Sequence, residues 1–430
     1  MSLLLPSPIK NFLYHSFVSY SYSFLFEKLL PKIKHGYLVI DISDISNSEY
    51  CGKALKYGND QHEIKSNIKI KNLYRFLLKV LFGGDIGFSE SFILGDFTSD
   101  NLKNLIYIFI INRDELDNLN TRWSFLMDGV NRFVHYLHRN TIEGSKENIK
   151  AHYDLSNDMF KLFLDKTMSY SCAYFDHRKQ DLEEAQFNKI RKLIDQANLK
   201  KDDHLLEIGC GWGALAIEAV KRTGCRVTGI SLSQEQLKFG RERVKEEGLE
   251  DRIDLQYIDY RNVDGKFDSI ISCEMLEAVG YENYATYFKS VEKLLKPNGI
   301  LVLQFISFKD QDFEGLKKRC DFIQKYIFPG GLLPSITAVI NTATENSNLV
   351  LQNSQTFGTH YALTLDIWRK NFLANKREIL KLDGFNDQFI NLFDYYFCYC
   401  SAAFDTRTIN LIQMQFSRPC NIDNLNDFNN

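Results

Sequence analysis

Residues 205–220 read LLEIGCGWGALAIEAV, with Gly209, Gly211 and Gly213 at alternate positions between an apolar run and a helix-like one. Glycines so placed let a turn take positive φ and let a ligand touch the main chain. The helix that follows offers free N–H groups at its start. The spacing is G-x-G-x-G, not the G-x-G-x-x-G of dinucleotide binders. Glu207, just ahead of the turn, suits a cationic amino group, which a pyrophosphate-binding loop would not want. A ligand combining carboxylate, ammonium and sulfonium meets these demands, and that combination describes S-adenosylmethionine.

Other chemistries find little support. The nine cysteines are scattered from Cys51 to Cys420 with no C-x-x-C pair, which suits reduced cytosolic thiols and neither a disulfide framework nor a zinc site. His135 and His138 stand three apart without a companion carboxylate or cysteine cluster, so no metal is expected. A formal charge of −3 argues against a nucleic-acid binder working through bulk electrostatics.

The elements that must position the loop follow from periodicity. From about residue 187 strands and helices alternate: DHLLEIG, CRVTGISLS, RIDLQYID, FDSIISCEM and GILVLQFIS read as strands, with helices at 214–222, 234–247 and 283–295 between them. GILVLQFIS is almost unbroken in its apolar run, as expected of a strand buried on both faces. The alternation implies a parallel, doubly wound sheet. Two later strands, 349–357 and 408–416, flank a helical stretch, 360–404, too long for an ordinary crossover and read as a cover over the site.

Ahead of this, GYLVIDI (36–42) and IKSNIKIKN (64–72) read as strands and are followed by two helical patterns, a small α+β domain over 1–115. Residues 116–150 hold a further helix and a polar linker, the main domain runs 151–418, and the Asn/Asp-rich end, 419–430, is expected to be disordered. The stretch NFLYHSFVSYSYSFLFEKLL (11–30) is too polar to span a bilayer comfortably. It suits either a helix at a membrane surface or one docked on its own domain.

With the loop in place, the chain resembles the cyclopropane-fatty-acyl-phospholipid synthase family. The match runs through HYDLSNDMFKLFLDKTMSYSCAYF (152–175), LEIGCGWG, GISLSQEQ (229–236), CEMLEAVGYENY (273–284), YIFPGGLLPS (326–335), HYALTLDIWRKNFLAN (360–375) and YCSAAFDTRTINLIQMQFSRP (399–419). KIKHGYLVI and DIGFSESFILGDF resemble, more weakly, the small domain of a plant-type branch. The resemblance implies a mostly parallel, seven-stranded class I methyltransferase sheet with a helical cover. It also implies a phospholipid substrate with an unsaturated acyl chain, met by transient contact with a membrane surface, and it leaves room for a homodimer. A cytoplasmic protein, peripheral at membranes, is the corresponding expectation.

An alkene is a poor nucleophile, and its attack on the sulfonium methyl leaves a carbocation. An anion held against an apolar wall serves as counter-charge and then as base. In the family that anion is a bound bicarbonate, and its holders carry over to the Cys172 main chain, Glu277 and Tyr361. Gln304 stands where the bacterial pattern has histidine, keeping an N–H donor but no titration. Ala278 likewise replaces a histidine common in bacterial members. Cys400 matches a family cysteine near the active site and is read as pocket lining. For the cofactor, the resemblance puts Tyr170 and Ser171 over the methionine end. Leu205, Leu206, Glu207 and Ile208, leading into Gly209, Cys210, Gly211, Trp212 and Gly213, form its loop. Ser231, Leu232, Ser233, Gln234, Glu235 and Gln236 would reach the ribose, with Gln236 the hydroxyl partner, and Tyr260 and Arg261 would flank the adenine.

Three functions remain on these grounds: a lipid methyltransferase making a cyclopropane or a methyl-branched chain, a small-molecule N-methyltransferase, and a non-catalytic lipid-binding protein. An amine nucleophile needs no anion cage, and a protein without catalysis needs no intact EIGCGWG loop.

Overall fold

The computed structural model describes residues 16–42, 52, 54–116 and 156–421. The expected helix around 122–138, the linker at 139–150 and most of the tail lie outside those residues. The chain divides into two compact units, Met1–Phe133 with Asp383–Thr406, and Val134–Leu382 with Arg407–Asn430.

In the first unit, β1 (Tyr37–Asp41), β2 (Ala54–Gly58), β3 (Lys65–Ile70) and β4 (Phe97–Ser99) form a sheet in the order β2-β1-β3-β4. Along β3 alternate residues are buried, so Ile68 and Ile70 join Leu38, Ile40 and Phe97 in a core. The aromatic segment near the N-terminus is docked on this unit. Tyr22, Phe26 and Leu30 are buried, and Tyr57 Oη donates to the Phe26 carbonyl at 2.7 Å. Helices Leu73–Ile93 and Leu102–Ile111 follow the expected patterns. The helix Asp387–Asp405 also belongs here: Asn391 donates to the Ile93 carbonyl at 3.1 Å, and Tyr395 packs on Phe92. The stretch read as one cover is therefore divided between the units, because this helix carries an apolar face (Ile390, Phe393, Phe397, Phe404) that is buried.

The second unit holds a seven-stranded sheet, β5 (His204–Ile208), β6 (Arg226–Ser231), β7 (Ile253–Tyr257), β8 (Phe267–Cys273), β9 (Leu295–Phe308), β10 (Val350–Thr356) and β11 (Ile409–Ser417). Its order is β10-β11-β9-β8-β5-β6-β7, parallel from β7 to β9, with β11 antiparallel to both its neighbours. Leu182–Ala197 (α1), Ala214–Thr223 (α2), Gln234–Glu246 (α3), Tyr284–Leu294 (α4), Ile336–Asn346 (α5) and Gly358–Ala374 (α6) are its longer helices. Adjacent residues of β5 serve opposite faces. Leu205 packs with Ile190, Ala216 and Val227, and Leu206 with Ile270, Phe288 and Leu301. Each of the larger apolar side chains among them contributes about 1.5–3 kcal/mol on burial.

The chain runs outward from β5 to β6 and β7, then returns to β8 on its other side. This is the switch point at which doubly wound sheets open a crevice beyond the strand ends. Loops after β5 and β8 meet there. Among the described residues no helix is long and apolar enough to cross a membrane, and no cluster of metal-ligating side chains occurs.

Candidate active site

The loop after β5 has Gly209, Gly211 and Gly213 at φ of 85°, 51° and 83°. A β-carbon built on Gly211 would meet no protein atom within 4 Å, so the space in front of it is open. Gly213 caps α2 in the left-handed conformation. Trp212 is buried and donates from Nε1 to Asn157 Oδ1 at 2.8 Å. Cys210 is likewise buried, and burial pushes its thiol well above the usual range.

Glu207 is 4% exposed, and its Oε2 has no hydrogen-bond partner. Burial pushes its carboxyl up to about 8, against the opposing pull of Lys189 and the Ala216 N–H. A buried, unpartnered carboxylate oxygen beside an open backbone is what an α-ammonium group would satisfy. S-adenosylmethionine fits this end of the crevice. At the tip of β6, Ser231 Oγ donates to Gln236 Oε1 at 3.1 Å, and Ser233 caps α3 by accepting from the Gln236 N–H. Ser231, Ser233 and Gln236 are buried, Leu232 is half-buried, and Gln234 and Glu235 are exposed on the first turn of α3. Past β7, Arg261 forms a two-pronged ion pair with buried Asp259, at 2.8 and 2.7 Å, and its guanidinium lies 5.4 Å over the Tyr260 ring.

A second cluster lies beyond β8. Glu274 follows the last residue of that strand and has φ of 51°, a left-handed conformation that a non-glycine residue occupies at a cost of roughly 1–2 kcal/mol. Its Oε1 accepts from the Cys172 N–H at 2.9 Å and from Gln304 Nε2 at 2.6 Å, and its Oε2 from Tyr361 Oη at 2.6 Å. Its own N–H donates to the Gln304 carbonyl at 2.6 Å. Gln304 is aimed by a file of amides: its Oε1 accepts from Gln413 Nε2 at 2.8 Å, and Gln413 Oε1 accepts from Gln196 Nε2 at 2.9 Å. Tyr361 stands on α6, its ring edge-on to the fully buried Trp368, on which Tyr170 stacks.

Glu277 lies one short turn further on. Its Oε1 accepts from the Ile306 N–H at 2.6 Å, while its Oε2 is buried without a partner. Burial, then the neighbouring charge of Glu274, pushes its carboxyl up to about 8. Burial also raises Glu274, but the Tyr361, Cys172 and Gln304 donors and the charge of Lys189 pull the other way. Burial still prevails in both, but Glu274 alone has donors on both oxygens, so its ionised form is opposed less than that of Glu277. The Cys172 thiol is fully buried and raised well above its usual range by burial and by Glu274, so its part is played by the main chain.

The structure thus gathers Cys172, Gln304 and Tyr361 as the sequence implied, but on Glu274 rather than around a free anion. The donors expected to hold a bicarbonate are taken by a carboxylate of the chain, and the residues present do not fit that ion as a separate ligand. Cys400 belongs to the first unit, on the helix Asp387–Asp405, and not to the unit that carries this cluster. Sequence reasoning missed Glu274, Asp259 and Lys189. Lys189 is 3% exposed, donates to Ser171 Oγ at 2.7 Å, and bears electrostatically on both Glu207 and Glu274. A lysine on the apolar face of α1, in step with Ala185 and Leu193, was the available signal.

Two carboxyls raised to about 8 predict the pH dependence of the apo fold. Between the unfolded carboxylate range and about 8 these two groups hold more protons in the folded state, so their contribution to stability is greatest below that window and is lost as pH rises through it. The expected slope is at most about 1.4 kcal/mol per pH unit for each group. Thermal unfolding from pH 5 to 9 should show the decline, and Glu207→Gln and Glu277→Gln should each flatten it. A melting temperature indifferent to pH in both variants and wild type would contradict the assignment.

A glycine loop at the switch point of this sheet, beside a buried carboxylate with one oxygen unpartnered, defines an S-adenosylmethionine-dependent methyltransferase. The chain belongs to the mycolic acid cyclopropane synthetase family, which matches residues 140–414. It is 36% identical over 342 residues to the tuberculostearic acid methyltransferase UfaA1 of Mycobacterium tuberculosis, covering 78% of this chain and 79% of that protein. To the cyclopropane-fatty-acyl-phospholipid synthase of Escherichia coli it is 36% identical over 357 residues, 82% of this chain and 88% of the other. The cyclopropane synthase MmaA2 from Mycobacterium tuberculosis superposes with a TM-score of 0.60 at 30% identity, over 64% of this chain and 98% of that one. Coclaurine N-methyltransferase, at 18% identity and a TM-score of 0.58, shares the fold alone.

Proposed function

We propose that the protein adds a carbon from S-adenosylmethionine to the double bond of an unsaturated acyl chain in a phospholipid, giving a cyclopropane ring through a carbocation. The observation that carries this is the buried cluster of Cys172 N–H, Gln304 and Tyr361 around a carboxylate. A negative charge kept in an apolar wall answers the needs of a cation that water would quench. A neutral amine brings its own lone pair and needs no such charge. Likeness to a cyclopropane-fatty-acyl-phospholipid synthase supports the same reading.

Glu207 would bind the cofactor's ammonium, the bare backbone at Gly211 would admit its methionine part, and Ser231 and Gln236 would meet the ribose. The aromatic wall of half-buried Tyr170 with buried Tyr361 and Trp368 would exclude water from the acyl chain. Because that chain sits in a bilayer, the protein would work by transient contact with a membrane surface. A methyl-branched product from the same cation is the second reading, favoured by the likeness to a tuberculostearic acid methyltransferase.

Expression in a host without modified acyl chains, followed by lipid mass spectrometry, tests the proposal. Phospholipid acyl chains one CH2 heavier and resistant to ozone cleavage are expected. Heavier chains that ozone still cleaves would favour the branched product. Unchanged lipids together with methylation of an amine by the purified protein would overturn the lipid reading.

A further inference from the structure

We propose that Glu274 is the reaction's own anion and base, a carboxylate built into the chain that makes a dissociable one unnecessary. This rests on the carbocation reading above and identifies the group that serves it. The geometry carries the argument. Three donors from three separate parts of the unit, the Cys172 main chain, Gln304 on β9 and Tyr361 on α6, converge on one side chain at 2.6–2.9 Å. None belongs to the loop that carries Glu274, so the convergence is not a local turn. The backbone at Glu274 is left-handed, a conformation glycine would take freely, and it is sustained here by a carboxylate with donors on both oxygens. Both Glu274 and Glu277 are half-buried residues.

The step balances as follows. The alkene π pair forms a C–C bond with the sulfonium methyl carbon, the C–S pair stays with sulfur, and positive charge moves to the other former alkene carbon. The Glu274 carboxylate, held as an anion by its donors, faces that charge. It then takes a proton from the added methyl, the freed C–H pair closes the third side of the ring, and Glu274 is left as a neutral acid. Its proton passes to water after the product leaves.

The full-length protein, S-adenosylmethionine and vesicles of dioleoyl phosphatidylglycerol supply the test, in buffer freed of carbon dioxide. Wild type is expected to turn over at the same rate with and without added bicarbonate. Glu274→Gln should lower kcat by about 100-fold or more while calorimetric cofactor affinity is unchanged. Glu274→Gly should fold normally, since glycine accepts this backbone, lose activity likewise, and recover part of it when bicarbonate is added to the space the side chain vacated. Carbon-13 bicarbonate NMR gives a readout that does not depend on the lipid: bound signal with Glu274→Gly and none with wild type. A wild-type rate that falls without bicarbonate, bound bicarbonate in wild type, or near-normal activity of Glu274→Gln would each overturn the proposal. If wild type modifies no lipid, the functional reading fails, and the NMR comparison still decides whether Glu274 fills the anion position.

Discussion

Gly211→Val is expected to abolish S-adenosylmethionine binding while leaving the fold in place. The two consequences separate because of where the new atoms would go. At φ of 51° a β-carbon on residue 211 meets no protein atom within 4 Å, so there is no clash to disrupt packing. The variant would carry only the strain of a left-handed β-branched residue, roughly 1–2 kcal/mol. The open space is where the cofactor must approach the main chain, and a side chain there takes that volume. Calorimetric titration should show no measurable binding, and thermal unfolding a modest drop. Wild-type affinity in this variant would remove the glycine loop from the site.

Tyr361→Phe should slow turnover without loosening the cofactor. Its hydroxyl donates to Glu274 Oε2 at 2.6 Å, and a hydrogen bond to a charged acceptor is worth about 1.5–3 kcal/mol. Lost from a transition state that depends on that charge, this is roughly a ten- to hundredfold fall in kcat. With one donor gone the carboxylate protonates more readily, so the acid limb of the pH–rate profile should move to higher pH. A change in the cofactor's affinity with kcat intact would instead place Tyr361 in cofactor binding.

Much of this was legible in the sequence because strands buried on both faces and glycine spacings leave local marks. The run GILVLQFIS, the loop LEIGCGWG and the parallel, doubly wound class needed no long-range information beyond the rules of βαβ winding. Glu274 was not legible. Three residues before Glu277, in the same CEMLEAVG stretch, it reads as a polar residue at a strand's end. Its role appears only when residues 102, 30 and 87 positions away in sequence meet on it. Lys189 escaped for a similar reason, since a lysine on a helix is ordinarily taken as solvated. The division of 360–404 between two units was hidden because helical periodicity says which face is apolar, not what covers it.

The file Gln196–Gln413–Gln304 behind Glu274 has a further consequence. Amides donate and accept hydrogen bonds, yet they neither take up nor release protons near neutrality. A wall of glutamines therefore orients the carboxylate while acting as an insulator toward the protein interior. A proton gained by Glu274 has no conducting path backward through that file, and on the mechanism proposed above it departs on the ligand's side. Resetting the acid is thereby tied to emptying the crevice, so each turnover waits on the departure of its product.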